Sequence, residues 1–203
     1  MIETELISCA LLGGGRAQPG LWILRPGDGE PTLIANLELG QSVYAIDVDP
    51  DAGLIVLGTR SGSIKILPVR EASAGPGQQD HVTLPQNAPL LAVCFAGKDR
   101  VVGADAAGRC LLWNPLDRSN GATPLEVKGG AVCSVLPLTQ DSVIGLSIDG
   151  KLLIWDMLTG TLSRVIDAHK PCKKHALVRL HYWAARNAVV YPANGGGLAV
   201  HEL

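Results

Sequence analysis

The sequence predicts an all-β protein built from about five repeated units of short antiparallel strands. Three observations carry that expectation. The apolar runs are four to eight residues long, rich in Val, Ile and Leu, and end at Gly, Pro, Asn or Asp, which are strand signals. Glycine and proline, 24 and 13 residues of 203, are spread along the whole chain, as in folds with many tight turns. Finally, a unit of turn, short apolar strand and closing aromatic recurs at a period in the forties.

The clearest copy is "SIDGKLLIWDMLTG", Ser147 to Gly160, in which the Asp149-Gly150 turn precedes a strand closing on Trp155-Asp156. "AAGRCLLWNPL" repeats it, with Gly108 in the turn and Trp113-Asn114 at the strand end. "RSGSIKILPV" puts Leu67 in the Trp place, "NGGGLAVHEL" puts His201-Glu202 there, and "PGLWILRPGDG" is a looser copy near the N-terminus. Aligned on Gly62, Gly108, Gly150 and Gly196, the copies step by 46, 42 and 46 residues.

The other strands follow. The pairs "VYAIDVD" and "LIVLGTR", "LLAVCF" and "RVVGAD", "AVCSVLPL" and "DSVIGLS", and "ALVRLHYW" and "AVVYPAN" precede the four turns. "PTLIANLEL", "DHVTLP", "ATPLEV" and "LSRVID" follow the aromatic positions. Each unit thus has four strands, a to d, over residues 1–40, 41–86, 87–129, 130–168 and 169–203. A unit of this size cannot bury its apolar faces alone, so neighbours must stack. The first unit ("ELISCALL", "LWILRP", "PTLIANLEL") shows no strand a and the last shows no strand d, which leaves 18 strands.

These units resemble the blades of WD-repeat β-propellers, and S-x-D-G-x-L-x-I-W-D from Ser147 to Asp156 is similar to that family's signature. The resemblance covers essentially the whole chain, with one strong copy. It implies a propeller of about five blades, or an arc of a larger one, since seven blades at this period need roughly 280–300 residues. It also implies a hydrogen-bonded network of Ser147, Asp149 and Trp155 with a histidine ahead of strand a, but Gly129-Gly130 stands where that histidine belongs. On this reading Ser147, Asp149, Gly150, Trp155, Asp156, Gly108 and Trp113 are architecture. An unsealed arc exposes strand edges, so a partner chain or self-association is expected to cover them.

Composition narrows the function. A net charge of −2 and a pI near 6.2 exclude a global field for nucleic acid. Apolar residues never run for the 18 or so needed to span a membrane, and the acidic N-terminus lacks a secretory signal, which predicts a cytoplasmic or nuclear protein. Five scattered cysteines, Cys9, Cys94, Cys110, Cys133 and Cys172, read as reduced thiols. "GGGRAQPG" lacks the Lys-Ser/Thr of a phosphate loop and reads as a hairpin loop.

No catalytic set or cofactor motif appears. Asp47, Asp49 and Asp51 at strand spacing are a weak cation candidate. "DAHKPCKKHALVRLH" holds His169, Cys172 and His175 at H-x2-C-x2-H, zinc-competent side chains in a spacing that matches no common zinc module. The same loop concentrates Lys170, Lys173 and Lys174, the one dense basic patch. In the family, d–a and b–c loops share a rim face, which gathers this loop with Arg60 and Asn194, the polar residues before their b–c turns. Tyr182 and Trp183 are expected near the opposite face or at the unsealed edge, where a buried aromatic pair is the ordinary reading. The function expected is a non-enzymatic protein–protein interaction scaffold whose partner carries an acidic segment. The alternative is a small-molecule-binding or hydrolytic propeller using its central channel. The predicted starts of strand a, Ser42, Leu90, Ala131 and Ala176, are mostly small or apolar and argue against it.

Overall fold

The structure, a computed structural model, describes residues 6–8, 20–24, 32–36, 43–49, 51–68, 80–83, 88–97, 99–115, 121–173 and 178–203. Among them, 18 strands form five antiparallel sheets, each built from strands consecutive in the chain. Sheet one holds β1 (Leu6–Ser8), β2 (Gly20–Leu24) and β3 (Thr32–Asn36). Sheet two holds β4 (Val43–Asp49), β5 (Leu54–Thr59), β6 (Ser63–Pro68) and β7 (Asp80–Thr83). Sheet three holds β8 (Leu90–Phe95), β9 (Val101–Asp105), β10 (Cys110–Trp113) and β11 (Thr123–Leu125). Sheet four holds β12 (Val132–Thr139), β13 (Ser142–Ser147), β14 (Lys151–Asp156) and β15 (Thr161–Asp167). Sheet five holds β16 (His181–Trp183), β17 (Ala188–Pro192) and β18 (Leu198–Glu202).

Local chemistry explains the hairpins. The aligned glycines Gly62, Gly108, Gly150 and Gly196 all have positive φ, between 84° and 92°, a conformation that a Cβ disfavours. In three of these turns the glycine N–H donates to the last residue of the preceding strand, Thr59, Asp105 or Ser147, at 3.1–3.2 Å.

Strand period 2 sends alternate residues to opposite faces, and this organises the stack. Val56, Ile64 and Ile66 of sheet two pack against Val101, Leu111 and Trp113 of sheet three. One repeat later, Val102, Cys110 and Leu112 pack against Val143, Leu153 and Trp155 of sheet four. One repeat further, Ile144, Leu152 and Ile154 pack against Val189 and Ala199 of sheet five. The same three places of each sheet therefore face forward, and the same adjacent places face back. Trp113 and Trp155 are equivalent, paired with Val101 and Val143 respectively, and both are buried.

Size compensation keeps the register. Gly145 leaves room for the Trp155 ring, since a Cβ there would come within 2.7 Å of its Cζ3. In sheet five the repeat places Tyr191 at the Gly145 position and His201 at the Trp155 position, and these two rings stack with centroids 5.9 Å apart.

Two expectations are corrected in sheet five. The strand predicted over 176–183 is regular only at His181–Trp183. The start of that lane is held by Pro171, bridged to Ala193, and by Cys172, whose N–H donates to the Pro192 carbonyl at 3.0 Å. The lane is a regular strand again from His181, paired with Val190. Tyr182 and Trp183 are not a buried pair: they are 40% and 45% exposed. Cys94, Cys110, Cys133 and Cys172 are free thiols, and burial pushes Cys110 and Cys133 up to about 12, which keeps them unreactive. Cys9 lies outside the described residues. Among the described residues no helix is long and apolar enough to cross a membrane.

Emptying the Trp155 site should cost about 3–5 kcal/mol in Trp155→Ala, read by chemical denaturation. Gly145→Ala should cost about 1–3 kcal/mol by forcing a methyl against the same ring. If either variant unfolds at the wild-type midpoint, Trp155 is not a stacking residue.

Candidate functional site

The end of the molecule bearing the b–c turns combines buried anchors with exposed charge. Thr59, Asp105 and Ser147 are buried polar residues at one repeat position, the end of the second strand. Each side chain accepts the N–H four residues on: Ser63 to Thr59 Oγ1 at 3.0 Å, Arg109 to Asp105 Oδ1 at 2.9 Å and Lys151 to Ser147 Oγ at 2.9 Å. Asp105 also takes the Ala107 N–H and the Arg109 guanidinium, with Nε at 2.7 Å, so its buried charge is paired. Sequence reading singled out Ser147 alone. The aligned series Thr59, Asp105, Ser147, each three residues before a turn glycine, was the available signal.

The network implied for Ser147, Asp149 and Trp155 divides in two. The Ser147 hydroxyl donates to Asp149, while Trp155 Nε1 donates to the Glu126 carbonyl, just past β11, at 2.7 Å. Asp149 also accepts the Gly130 N–H. A Cβ on Gly129 would lie 2.6 Å from Asp149 Oδ2, so the glycine pair admits the carboxylate to backbone where the family's histidine belongs. Partial burial works against the Asp149 charge, but the Ser147 hydroxyl and these N–H donors hold its carboxyl below the usual range. Asp156 accepts the Leu158 and Thr159 N–H groups at 2.8 and 2.9 Å, which closes the next turn.

The loop after β15 is fastened to this end. The Ala168 N–H donates to the Gly150 carbonyl and the Asn194 N–H to the Lys170 carbonyl, both at 2.8 Å. The Tyr191 hydroxyl donates to the His169 carbonyl at 2.7 Å. The His169 N–H reaches His201 Nε2 at 3.3 Å, and the two rings approach at the same distance, Nδ1 to Nε2. His201 titrates below its usual range because burial disfavours its cation and His169 repels a second charge. His169, Lys170 and Asn194 are thus brought together, exposed on a rigid support, with Lys173 exposed nearby in sequence. Arg60 is exposed at the equivalent turn of sheet two. Lys174 and His175 lie outside the described residues.

Of the metal candidates, the set His169, Cys172 and His175 includes a residue, His175, outside the described ones. Among the described residues no three His, Cys, Asp or Glu side chains approach closely enough to hold an ion. Cys172 packs against the core between sheets four and five. Asp49 instead accepts the Ala52 N–H of its own hairpin at 2.9 Å, and Asp47 accepts the Phe95 N–H at 2.9 Å.

The interior differs from the expectation drawn from the strand starts. A cavity of about 250 Å³ lies between β4, β8, β12 and residues 179–181, and Asp47, Ser134, Arg179 and His181 are among its lining residues. Burial pushes the Asp47 carboxyl up, against the Phe95 N–H, which lowers it. Ser134 Oγ accepts the Leu180 N–H at 2.9 Å, joining β12 to the inner segment of sheet five. Asp47 and Ser134 lie inside β4 and β12, and Arg179 and His181 lie beyond the predicted start at Ala176, which is why the predicted starts suggested an apolar interior.

No protein-family model and no curated protein sequence matches the chain. Solved structures do resemble it. The computationally designed Ika4 protein superposes with a TM-score of 0.62 at 22% identity, over 82% of this chain and 94% of that one. The computationally designed Ika8 protein superposes with a TM-score of 0.65 at 23% identity, over 91% of this chain and 52% of that one. The chain thus spans about half the length of Ika8. At such identity the likeness concerns the fold alone.

Replacing Asp105 with Ala leaves two N–H donors and a guanidinium without this acceptor. The expected loss is about 2–3 kcal/mol, below the 3–5 typical of fully buried pairs because Arg109 is 27% exposed. For His201, the depressed pKa means that its contribution to stability is fully present above about pH 6.5 and is lost as pH falls through the lowered value. Thermal melts from pH 7.5 to 5 should show this loss in the wild type and a flatter profile in His201→Gln.

Proposed function

We propose that the chain is a non-enzymatic protein-binding module of the WD-repeat β-propeller kind, its sheets being blades of a ring or arc. Support for the architecture comes from the first strands. β4 contacts β8, β8 contacts β12, and β12 contacts β16, in chain order, and the first three enclose the cavity with residues 179–181. Successive sheets then stack in a constant register, as blades do. The strands are consumed by this stacking, so recognition falls to loops.

The observation that carries the binding role is the fastening of the loop after β15. Its carbonyls at His169 and Lys170 are held by Tyr191 and Asn194, which leaves the Lys170 side chain free in solvent on a rigid backbone. A preorganised cation loses less entropy on binding than one on a slack loop. Lys170, Lys173, Lys174, Arg60 and Asn194 constitute the docking surface, and the partner is a protein segment rich in Asp and Glu.

A second reading has one observation in its favour. The cavity holds a carboxyl, a guanidinium and an imidazole at Asp47, Arg179 and His181, groups able to orient a small polar molecule.

Fluorescence anisotropy with a short polyglutamate peptide tests the first reading. Lys170→Glu, Lys173→Glu and Lys174→Glu together should weaken binding by about tenfold at low salt, at about 0.5 kcal/mol per substituted lysine. Added salt should shrink the difference. Equal binding by both proteins at low salt would place the docking surface elsewhere. A loss with Asp47→Asn but not with the lysine reversals would favour the cavity.

A further inference from the structure

Two histidines carried by different sheets meet ring to ring. His169 follows β15, the last strand of sheet four, and His201 lies in β18 of sheet five. His169 Nδ1 and His201 Nε2 face one another at 3.3 Å, with the ring centroids 5.3 Å apart. His169 is exposed and His201 half-buried, so the pair is open to solvent. The His169 backbone N–H also points at His201 Nε2, at 3.3 Å. A backbone N–H can only donate, so this ring nitrogen carries a lone pair and neutral His201 holds its proton on Nδ1. Burial and the neighbouring His169 ring keep His201 uncharged at neutral pH, the form in which imidazole binds a metal.

We propose that His169 Nδ1 and His201 Nε2 together chelate a divalent transition-metal ion such as zinc, with water completing its coordination. The separation of the two nitrogens is the first support. Tetrahedral zinc with bonds of about 2.0–2.1 Å sets two imidazole nitrogens about 3.3–3.4 Å apart. His169 and His201 already stand at that distance. It is longer than the roughly 2.9–3.0 Å of a well-formed N–H hydrogen bond, so the contacts that an ion would replace are weak ones. The second support is a common brace. Tyr191 stacks on the His201 ring, and its hydroxyl donates to the His169 carbonyl at 2.7 Å, so one side chain steadies both ligands. Imidazole nitrogen suits zinc, copper and nickel, whereas magnesium and calcium take oxygen ligands. On binding, His169 carries its proton on Nε2 and gives the Nδ1 lone pair to the ion. The ion then clasps the end of sheet four to the last strand of sheet five. The site is not the H-x2-C-x2-H spacing of the loop: it takes His169 from that loop and its partner from 32 residues further on.

Isothermal calorimetry with zinc chloride on the full, untagged chain, stripped beforehand with a chelator, tests the proposal. The expected result is one zinc ion per chain, a melting temperature that rises with added zinc, and no such rise with magnesium chloride. His169→Gln and His201→Gln should each weaken zinc binding by at least about tenfold, since even groups that only orient a ligand are worth about 10–100-fold. His169 is exposed, so His169→Gln should keep the wild-type circular dichroism and melting temperature in the absence of metal, which separates loss of a ligand from loss of the fold. Cys172→Ser combined with His175→Gln should bind zinc as the wild type does. Absence of zinc binding overturns the proposal, and so does binding that survives His169→Gln or His201→Gln unchanged. Binding lost in the Cys172 and His175 double variant overturns it as well, because the loop spacing would then hold the ion.

Discussion

The structure depends on sheet packed upon sheet in an unvarying register. Each strand places alternate residues on opposite faces, so a slip of one residue in any sheet would turn its apolar set away from one neighbour and towards the other. The constraint acts on small volumes. Gly145 is empty space reserved for the Trp155 ring, whereas in the last sheet Tyr191 stands at the glycine position and His201 at the tryptophan position, and the two rings stack instead. Trp155 is also tied to the preceding sheet through the Glu126 carbonyl, which couples the stacking of two sheets to one hydrogen bond.

A second, polar constraint sits at the ends of the second strands. A hairpin that must reverse in two or three residues leaves backbone N–H groups without a ladder partner. Thr59, Asp105 and Ser147 supply the missing acceptor, each in the chemistry that its site allows. The Asp105 carboxylate brings Arg109 with it, because a buried charge needs a counter-charge. These caps brace the turn end, and the exposed residues of the proposed docking surface, Arg60, Lys170 and Asn194, stand beside or between such turns. The last sheet has Ala193 at the cap position and instead lends its backbone to the incoming loop, through Ala193 to Pro171 and Asn194 to Lys170. The departure from the repeat and the fastening of the basic loop are therefore one event.

Much was readable in the residues alone. The turn glycines, the strand runs and the steps of 46, 42 and 46 determine the all-β class, the order of the strands and the hairpin positions, because these rest on local geometry: which residue tolerates positive φ, and which runs alternate. The exposure of His169, Lys170 and Lys173 also followed from their polar side chains. Only the tertiary structure decided what faces what. Trp155 finds its hydrogen-bond partner 29 residues away at Glu126, and Asp149 meets Gly130 across a turn. His169 meets His201, 32 residues on, and the interior gathers Asp47, Ser134, Arg179 and His181 from separate sheets. Likewise, the residues Tyr182 and Trp183 have the composition of a core, yet both are exposed. Residue type sets the cost of leaving a side chain in water, but its neighbours are chosen by contacts between distant segments, which no local pattern encodes.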